Sequence, residues 1–323
     1  MSEMRGDNRP RVALIGMGEA GTAIVEGWGA GRPAVRAYDI KSDDPATAGA
    51  IDARCAALGM AAAASPAEAV ATADLVICVV TADQAVAAAE AAAPHLRKGA
   101  FWCDFNSCAP SSKGIAAGIV EAAGGRYVDV AVMGPVHPGR NMVPLFVAGP
   151  HAADVAPVLE SLPMAPRVVE GPVGAASSIK MIRSVMVKGL EALTAECMIA
   201  AEAAGVTEAV LASLLKSHGG TDWPRQTAYN LERSLTHGAR RAAEMDEVAR
   251  TLADLGLPNT MASATAGWQR RLAETGLAAA EDEPVADIAG RLVPVVRQAG
   301  CPKPMPRCRR GLARGVRCAP SRR

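Results

Sequence analysis

Short apolar runs and alanine-rich helical stretches alternate along the first 170 residues of the chain. The runs are RVALIG, AVRAYDI, DLVICVV, AFWCDFNS, RYVDVAVMG and PLFVAG. Between them lie EAGTAIVEGWGA, DARCAALGM, ADQAVAAAEAAAP and a segment that opens at Ser111. Runs this short and this rich in aliphatic and β-branched side chains read as buried strands, and the alanine-rich segments as the helices that cover them. Strand–helix alternation with short connections predicts an α/β, doubly wound parallel sheet over residues 1–172. After Gly171 the period changes. Residues 173–280 hold almost no strand-like run, so an all-α C-terminal domain is expected over 173–290.

Two helices stand out in that second part. GAASSIKMIRSVMVKGLEALTAE, residues 174–196, reads as one long helix with Ile182, Val185, Met186, Leu190 and Leu193 on an apolar face. Lys180, Ser184, Val187, Lys188 and Glu191 fall on the other, which reads as solvated, with Lys188 spaced for a contact to Glu191. In LTHGARRAAEMDEVARTLADLG, residues Leu235, Gly238, Ala242, Met245, Ala249, Leu252 and Leu255 recur at three and four. Gly256 and then Pro258 close that helix. His237, Arg240 and Arg241 begin it, and Arg241 is placed to pair with Glu244. The glycine-rich SHGGTDW before it, with His218 and Asp222, could cover a cleft.

Composition narrows the classes. The chain has 323 residues, 50% hydrophobic and 21% charged, which suits a globular protein of about two domains. Aromatics make up only 3%, so small aliphatics must build the core. A net charge of +1 points to no nucleic acid and no membrane surface as partner. No apolar run reaches the roughly 18–20 residues that cross a bilayer. The start, MSEMRGDNRPR, lacks the apolar segment of a secretory signal, so a cytoplasmic protein is expected. Eight cysteines without CxxC pairs fit a reduced compartment and no metal site. No acidic residue follows Asp287, and residues 300–323 carry seven Arg and one Lys. Residues 291–323 are therefore expected to form a basic, disordered tail. Their Arg/Pro/Cys mix also resembles GC-rich DNA read out of frame from about residue 290.

The chemistry begins at VALIGMGEAGTAI, where Gly16, Gly18 and Gly21 form GxGxxG between a strand and a helix. Gly16 permits the tight turn, Gly18 lets backbone approach a pyrophosphate, and Gly21 lets the helix pack close to the sheet. Met17, Glu19 and Ala20 complete this Rossmann-type turn, and the pyrophosphate meets unpaired N–H groups at the helix start. Asp39 ends the second strand, 18 residues beyond Gly21, where a carboxylate binds both ribose hydroxyls of NAD and repels the 2′-phosphate of NADP. Lys41 close by softens that preference, leaving NADP open. Val80 and Thr81 end a later strand, and Asn106 and Ser107 the next, both at the edge where open α/β sheets bind ligands. Cap and turn chemistry is the competing reading for Asn106 and Ser107.

Taken in order, GMGEAG, the segment DFNSCAP, VDVAVMGPV and GAASSIK resemble the β-hydroxyacid dehydrogenases, which include 3-hydroxyisobutyrate and 6-phosphogluconate dehydrogenases. The stretch from Asp222 to Gly256 is similar to a branch whose phosphogluconate-dehydrogenase-like C-terminal domain has no assigned function. The resemblance covers roughly residues 10–285. It implies a nicotinamide-dependent oxidoreductase acting on CH–OH groups of a small β-hydroxy acid or sugar-acid-like molecule. It also implies a homodimer, and a catalytic lysine near the start of the interdomain helix, here Lys180. A lysine takes the hydroxyl proton if burial or a cationic neighbour, such as Arg183, lowers its pKa.

Two positions depart from the family. Its Ser-Gly-Gly substrate cradle is Met133-Gly134-Pro135 here, which loses a hydroxyl and one backbone N–H, and an asparagine one turn after the lysine is Ser184. His137 and Arg140 follow the altered loop and could supply cationic anchoring. An imine reductase-like enzyme and a non-catalytic nicotinamide-binding sensor are the alternatives; retention of Lys180 weighs against the sensor.

Overall fold

The computed structural model describes residues 9–217, 220–280 and 283–300. Its first part is one eight-stranded sheet in the order β3-β2-β1-β4-β5-β6-β7-β8. The strands are β1 (Val12–Ile15), β2 (Val35–Tyr38), β3 (Ala61–Ala62), β4 (Leu75–Cys78), β5 (Phe101–Asp104), β6 (Arg126–Val132), β7 (Pro144–Ala148) and β8 (Ala165–Val168). Helices α1 (Glu19–Trp28), α2 (Pro45–Ala57), α3 (Pro66–Val70), α4 (Ala85–Ala92), α5 (Pro110–Ala122) and α6 (Ala152–Ser161) connect them. β1, β4 and β5 are buried at every position, as strands covered on both faces must be. The order reverses at β1, whose neighbours are β2 and β4, and that switch point opens the ligand crevice.

One strand departs from the parallel expectation. β7 runs antiparallel to β6, with Val132 opposite Leu145. The loop from residue 133 to 143 contains a single 3-10 turn and no helix, so it cannot carry the chain back for a parallel return.

The second part is helical: α7 (Ala175–Ala204), α8 (Thr207–Ser217), α9 (Trp223–Asp254), α10 (Thr260–Glu274) and α11 (Val285–Gly300). α9 ends before Gly256 (φ 70°) as the pattern requires, but it begins at Trp223. Asp222 accepts the Arg225 N–H and caps it, so this residue starts a helix and does not belong to a cleft-covering loop. His218 lies outside the described residues.

Three expectations are corrected. Residues 291–300 are helical, with Ile288, Leu292 and Val296 joining the core made by α7, α8, α9 and α10. The apolar period runs unbroken through position 290, so no tail begins at 291; residues 301–323 lie outside the described residues. α7 is turned over relative to its wheel. Ile182, Leu190 and Leu193 are exposed, as is Met186 at 65%, whereas Ser184, Lys188 and Glu191 are buried. The ion pairs are exchanged as well: Lys188 pairs with Glu244 and Arg241 with Glu191, both across the α7–α9 contact. The reason is common to both. Each charge finds its partner on the neighbouring helix, so the polar face is the one that packs.

Candidate active site

The glycine turn fits a dinucleotide by its own geometry. Gly16 stands at φ +105°, and a Cβ there would meet the Val79 carbonyl oxygen at 2.5 Å. A Cβ on Gly21 would meet the Gly16 carbonyl oxygen at 2.3 Å, so α1 seats against the turn only with glycine at that position. A Cβ on Gly18 would meet nothing within 4 Å. Open space therefore lies above Gly18, at the head of α1, where no side chain caps the helix. The first-turn N–H groups of Glu19, Ala20 and Gly21 point there without a carbonyl in their own helix.

Asp39 stands beside this turn, where the sequence places it. Its Oδ2 accepts the Met17 N–H at 2.7 Å and its Oδ1 the Lys41 N–H at 3.0 Å. Met17 itself is drawn inward. Its side chain is in the main core and its carbonyl accepts Arg54, so it shapes the turn and does not face a cofactor. Val80 packs against the Gly16 side of the turn, and Thr81 lies exposed at the mouth. Asn106 is corrected too. Its Oδ1 accepts the Val80 N–H at 2.7 Å and its Nδ2 reaches Cys78 Sγ, which buries the amide behind the crevice. It positions Val80; the next residue faces forward.

That residue is Ser107, whose Oγ accepts a hydrogen bond of 2.6 Å from Lys180 Nζ. The pair spans the gap between the end of β5 and the second turn of α7. Lys180 is half-buried, and its pKa is lowered to about 8. Burial is the largest cause; Glu244 opposes it, while Lys188, Lys113 and Arg240 add positive field. Ser184 Oγ donates back to the Lys180 carbonyl and receives Lys188 Nζ at 3.4 Å. Lys188 is only 6% exposed and meets Glu244 at 2.6 Å. Burial works against the Glu244 carboxylate, but Lys188, Lys180 and Arg240 outweigh it and lower its pKa to about 2.

A second buried cluster holds both sides of that gap. Lys113 on α5 lies with no exposure, 2.9 Å from Asp104 and 3.5 Å from Asp129. Asp104 accepts the Asn106 N–H and the Tyr127 hydroxyl; Asp129 accepts Gly174 N, Ser177 N and Ser177 Oγ. The first carboxyl thus fixes the turn that carries Ser107, and the second fixes the start of the helix that carries Lys180. Sequence reasoning missed Lys113, Asp104 and Asp129. The available signal was an aspartate inside each of two apolar strands, FWCD and YVDV, since an acidic residue in such a strand must have a buried partner.

The altered loop goes elsewhere. Met133 packs with Phe146, Ala175 and Ala176 under the first turn of α7, so its side chain serves that small core and not a substrate. Gly134 and Pro135 are exposed. Arg140 lies 4.0 Å from Glu26 on α1, and Asn141 packs against Gly27. Among the described residues no group of acidic, His and Cys side chains could hold a metal, and no helix is long and apolar enough to cross a membrane.

Comparison with known proteins agrees with these features. Residues 11–171 match the family described as the NAD binding domain of 6-phosphogluconate dehydrogenase, and residues 201–272 a domain of unknown function, DUF1932. A conserved hypothetical protein from Sinorhizobium meliloti 1021 is 39% identical, over 88% of this chain and 96% of that one, with a TM-score of 0.69. The conserved protein MTH1747, described as structurally similar to 3-hydroxyacid dehydrogenases, is 27% identical over 83% of this chain and 100% of its own, at TM-score 0.62. A 3-hydroxyisobutyrate dehydrogenase from Mycobacterium tuberculosis shares the fold at TM-score 0.68 and 18% identity, over 88% of this chain and 99% of that one. No curated protein gives a significant match.

Proposed function

The chain belongs to the β-hydroxyacid dehydrogenase family, in a branch with a DUF1932 domain at its C-terminal side, and on that premise we propose that it is an NAD(P)-dependent oxidoreductase of a small β-hydroxy acid or sugar-acid-like substrate. The observation that carries this reading is the Lys180–Ser107 pair. A half-buried amine with a pKa of about 8 sits at the ligand edge of the sheet that bears the glycine turn. Lys180 takes the substrate hydroxyl proton on Nζ during oxidation and returns it to the forming hydroxyl during reduction. Ser107 Oγ holds Nζ in place and hands its hydrogen bond to the substrate oxygen as the proton moves. A nicotinamide held at this turn would supply the hydride acceptor for the carbinol hydrogen. The N–H groups of Glu19, Ala20 and Gly21 would hold the pyrophosphate, and Asp39, with Asp43 and Asp44 close behind it in the chain, would favour NAD over NADP by repelling a 2′-phosphate.

The test is a panel of 3-hydroxy acids and sugar acids, followed at the nicotinamide absorbance with each cofactor in turn. Turnover that is stronger with NAD and depends on Lys180 supports the reading. Tight NADH binding with no turnover on the panel would favour a sensor instead.

The exposed stripe Ile179, Ile182, Met186, Leu190 and Leu193 on α7 supports a homodimer, because five large apolar side chains on one face are seldom left to water. A second copy covering its own stripe would give a self-complementary contact. Light scattering at twice the chain mass is expected, and a monomer at micromolar concentration would reject it.

A further inference from the structure

The face of α9 that meets the sheet layer is a ladder of polar side chains. Asp254 accepts Ser111 Oγ at 2.6 Å, Glu247 accepts the Ala109 N–H at 2.7 Å, and Glu244 meets Lys188 at 2.6 Å. One turn further on, Arg240 reaches Glu244 at 3.3 Å, and His237 follows three residues before it. Near Glu247 α9 is anchored beside the Ser107 turn, and about three turns away His237 feels the charge of Glu19 at the head of α1; α9 also packs against the 3-10 turn Ala82–Gln84. The ten residues from Glu247 to His237 span about 15 Å of helix. Arg240 lies within that stretch, near enough to add positive field at Lys180. One edge of its guanidinium pairs with Glu244, yet its side chain remains 53% exposed. Its neighbour Arg241 turns the other way, into Glu191.

The acid group of a hydroxy-acid substrate needs a partner, and the turn after β6 does not offer the usual one. Met133 is packed in a small core, and Pro135 has no N–H. We propose that Arg240 on α9 is the carboxylate anchor, so that this helix sets specificity for an anionic substrate whose hydroxyl lies at Lys180. The proposal rests on the dehydrogenase reading above and adds the group that selects the substrate. A guanidinium presents paired N–H donors matched to a carboxylate, and Glu244 holds one of its nitrogens at 3.3 Å. The competing account is an ordinary i,i+4 ion pair on a helix surface.

The experiment separates anchor from surface pair, and both from the dehydrogenase reading. Binding of malonate, a dicarboxylate without a hydroxyl to oxidise, is measured by its effect on bound NADH fluorescence in wild type, Arg240→Gln, Arg240→Lys and the exposed control Arg225→Gln. The same variants are assayed on whichever 3-hydroxy acid turns over. The expected result is a tenfold or greater weakening of malonate binding in R240Q, partial recovery in R240K and none of this in R225Q. KM for the hydroxy acid should rise in parallel while NADH affinity stays constant. Malonate binding that is unchanged in R240Q, or absent from wild type, overturns the anchor even if the enzyme turns over hydroxy acids. Malonate binding that depends on Arg240 without any turnover keeps the anchor and removes the dehydrogenase.

Discussion

Lys113 and Lys180 are both withdrawn from water, and their surroundings push them in opposite directions. Lys113 has no exposure and sits between Asp104 and Asp129; burial works against its charge, but the two carboxyls raise its pKa above the ordinary value. Lys180 is half-buried and rests on a hydroxyl; burial prevails over the more distant Glu244, and its pKa falls to about 8. The partner decides the outcome more than the depth does. A carboxylate partner makes a lysine a fixed strut, and a hydroxyl partner leaves it able to exchange a proton near neutral pH.

Substitutions can break this contrast. The largest effect is expected at the mobile proton: Lys180→Met should lower kcat by about 10²–10⁴-fold with little change in NADH affinity, measured by steady-state rates and cofactor fluorescence. Replacing the strut acts on folding. Lys113→Met leaves two buried carboxyls sharing no cation, and should cost about 3–5 kcal/mol in urea denaturation. A midpoint equal to that of wild type would mean the cluster is not held by its charge. Ser107→Ala should cost about 0.5–1.5 kcal/mol of transition-state stabilisation, seen as a several-fold lower kcat at constant fold.

The finest test is by pH. Hydroxy-acid oxidation needs the neutral amine, so kcat/KM should rise through about pH 8 and the reverse reaction should fall across the same range. Glu244 favours the ammonium, so Glu244→Gln should move that limb to lower pH. The stability profiles also diverge. Lys180 binds its proton less tightly when folded, so its penalty is present below about pH 8 and is relieved as pH rises towards the ordinary lysine value. Lys113 binds its proton more tightly when folded; its contribution is whole below that ordinary value and is lost only above it. Wild type should therefore gain stability from pH 8 upwards relative to Lys180→Met.

Much of the site was legible before any coordinates. Gly16 and Gly21 carry their packing tasks in a local pattern, and the atoms a Cβ would strike at each match those tasks. Lys180 was singled out through its resemblance to a family, and the structure sets its amine on the Ser107 hydroxyl. The wheel of α7, by contrast, showed which residues share a face and gave no direction for that face. Asn106 and Met17 lie at the expected strand ends, yet their polar groups are taken by Val80 and Asp39, contacts 26 and 22 residues distant along the chain. Nothing local announces such a contact.

Alternation, glycine spacing and the capping residues thus determined the elements and the cofactor turn, because those properties arise between residues that are neighbours in the chain. Tertiary structure alone decided that Lys113 meets two carboxyls and Lys180 a hydroxyl, and which face of α7 meets water. Each depends on partners brought together from far along the sequence, where charge, burial and distance act jointly and no short pattern records the sum.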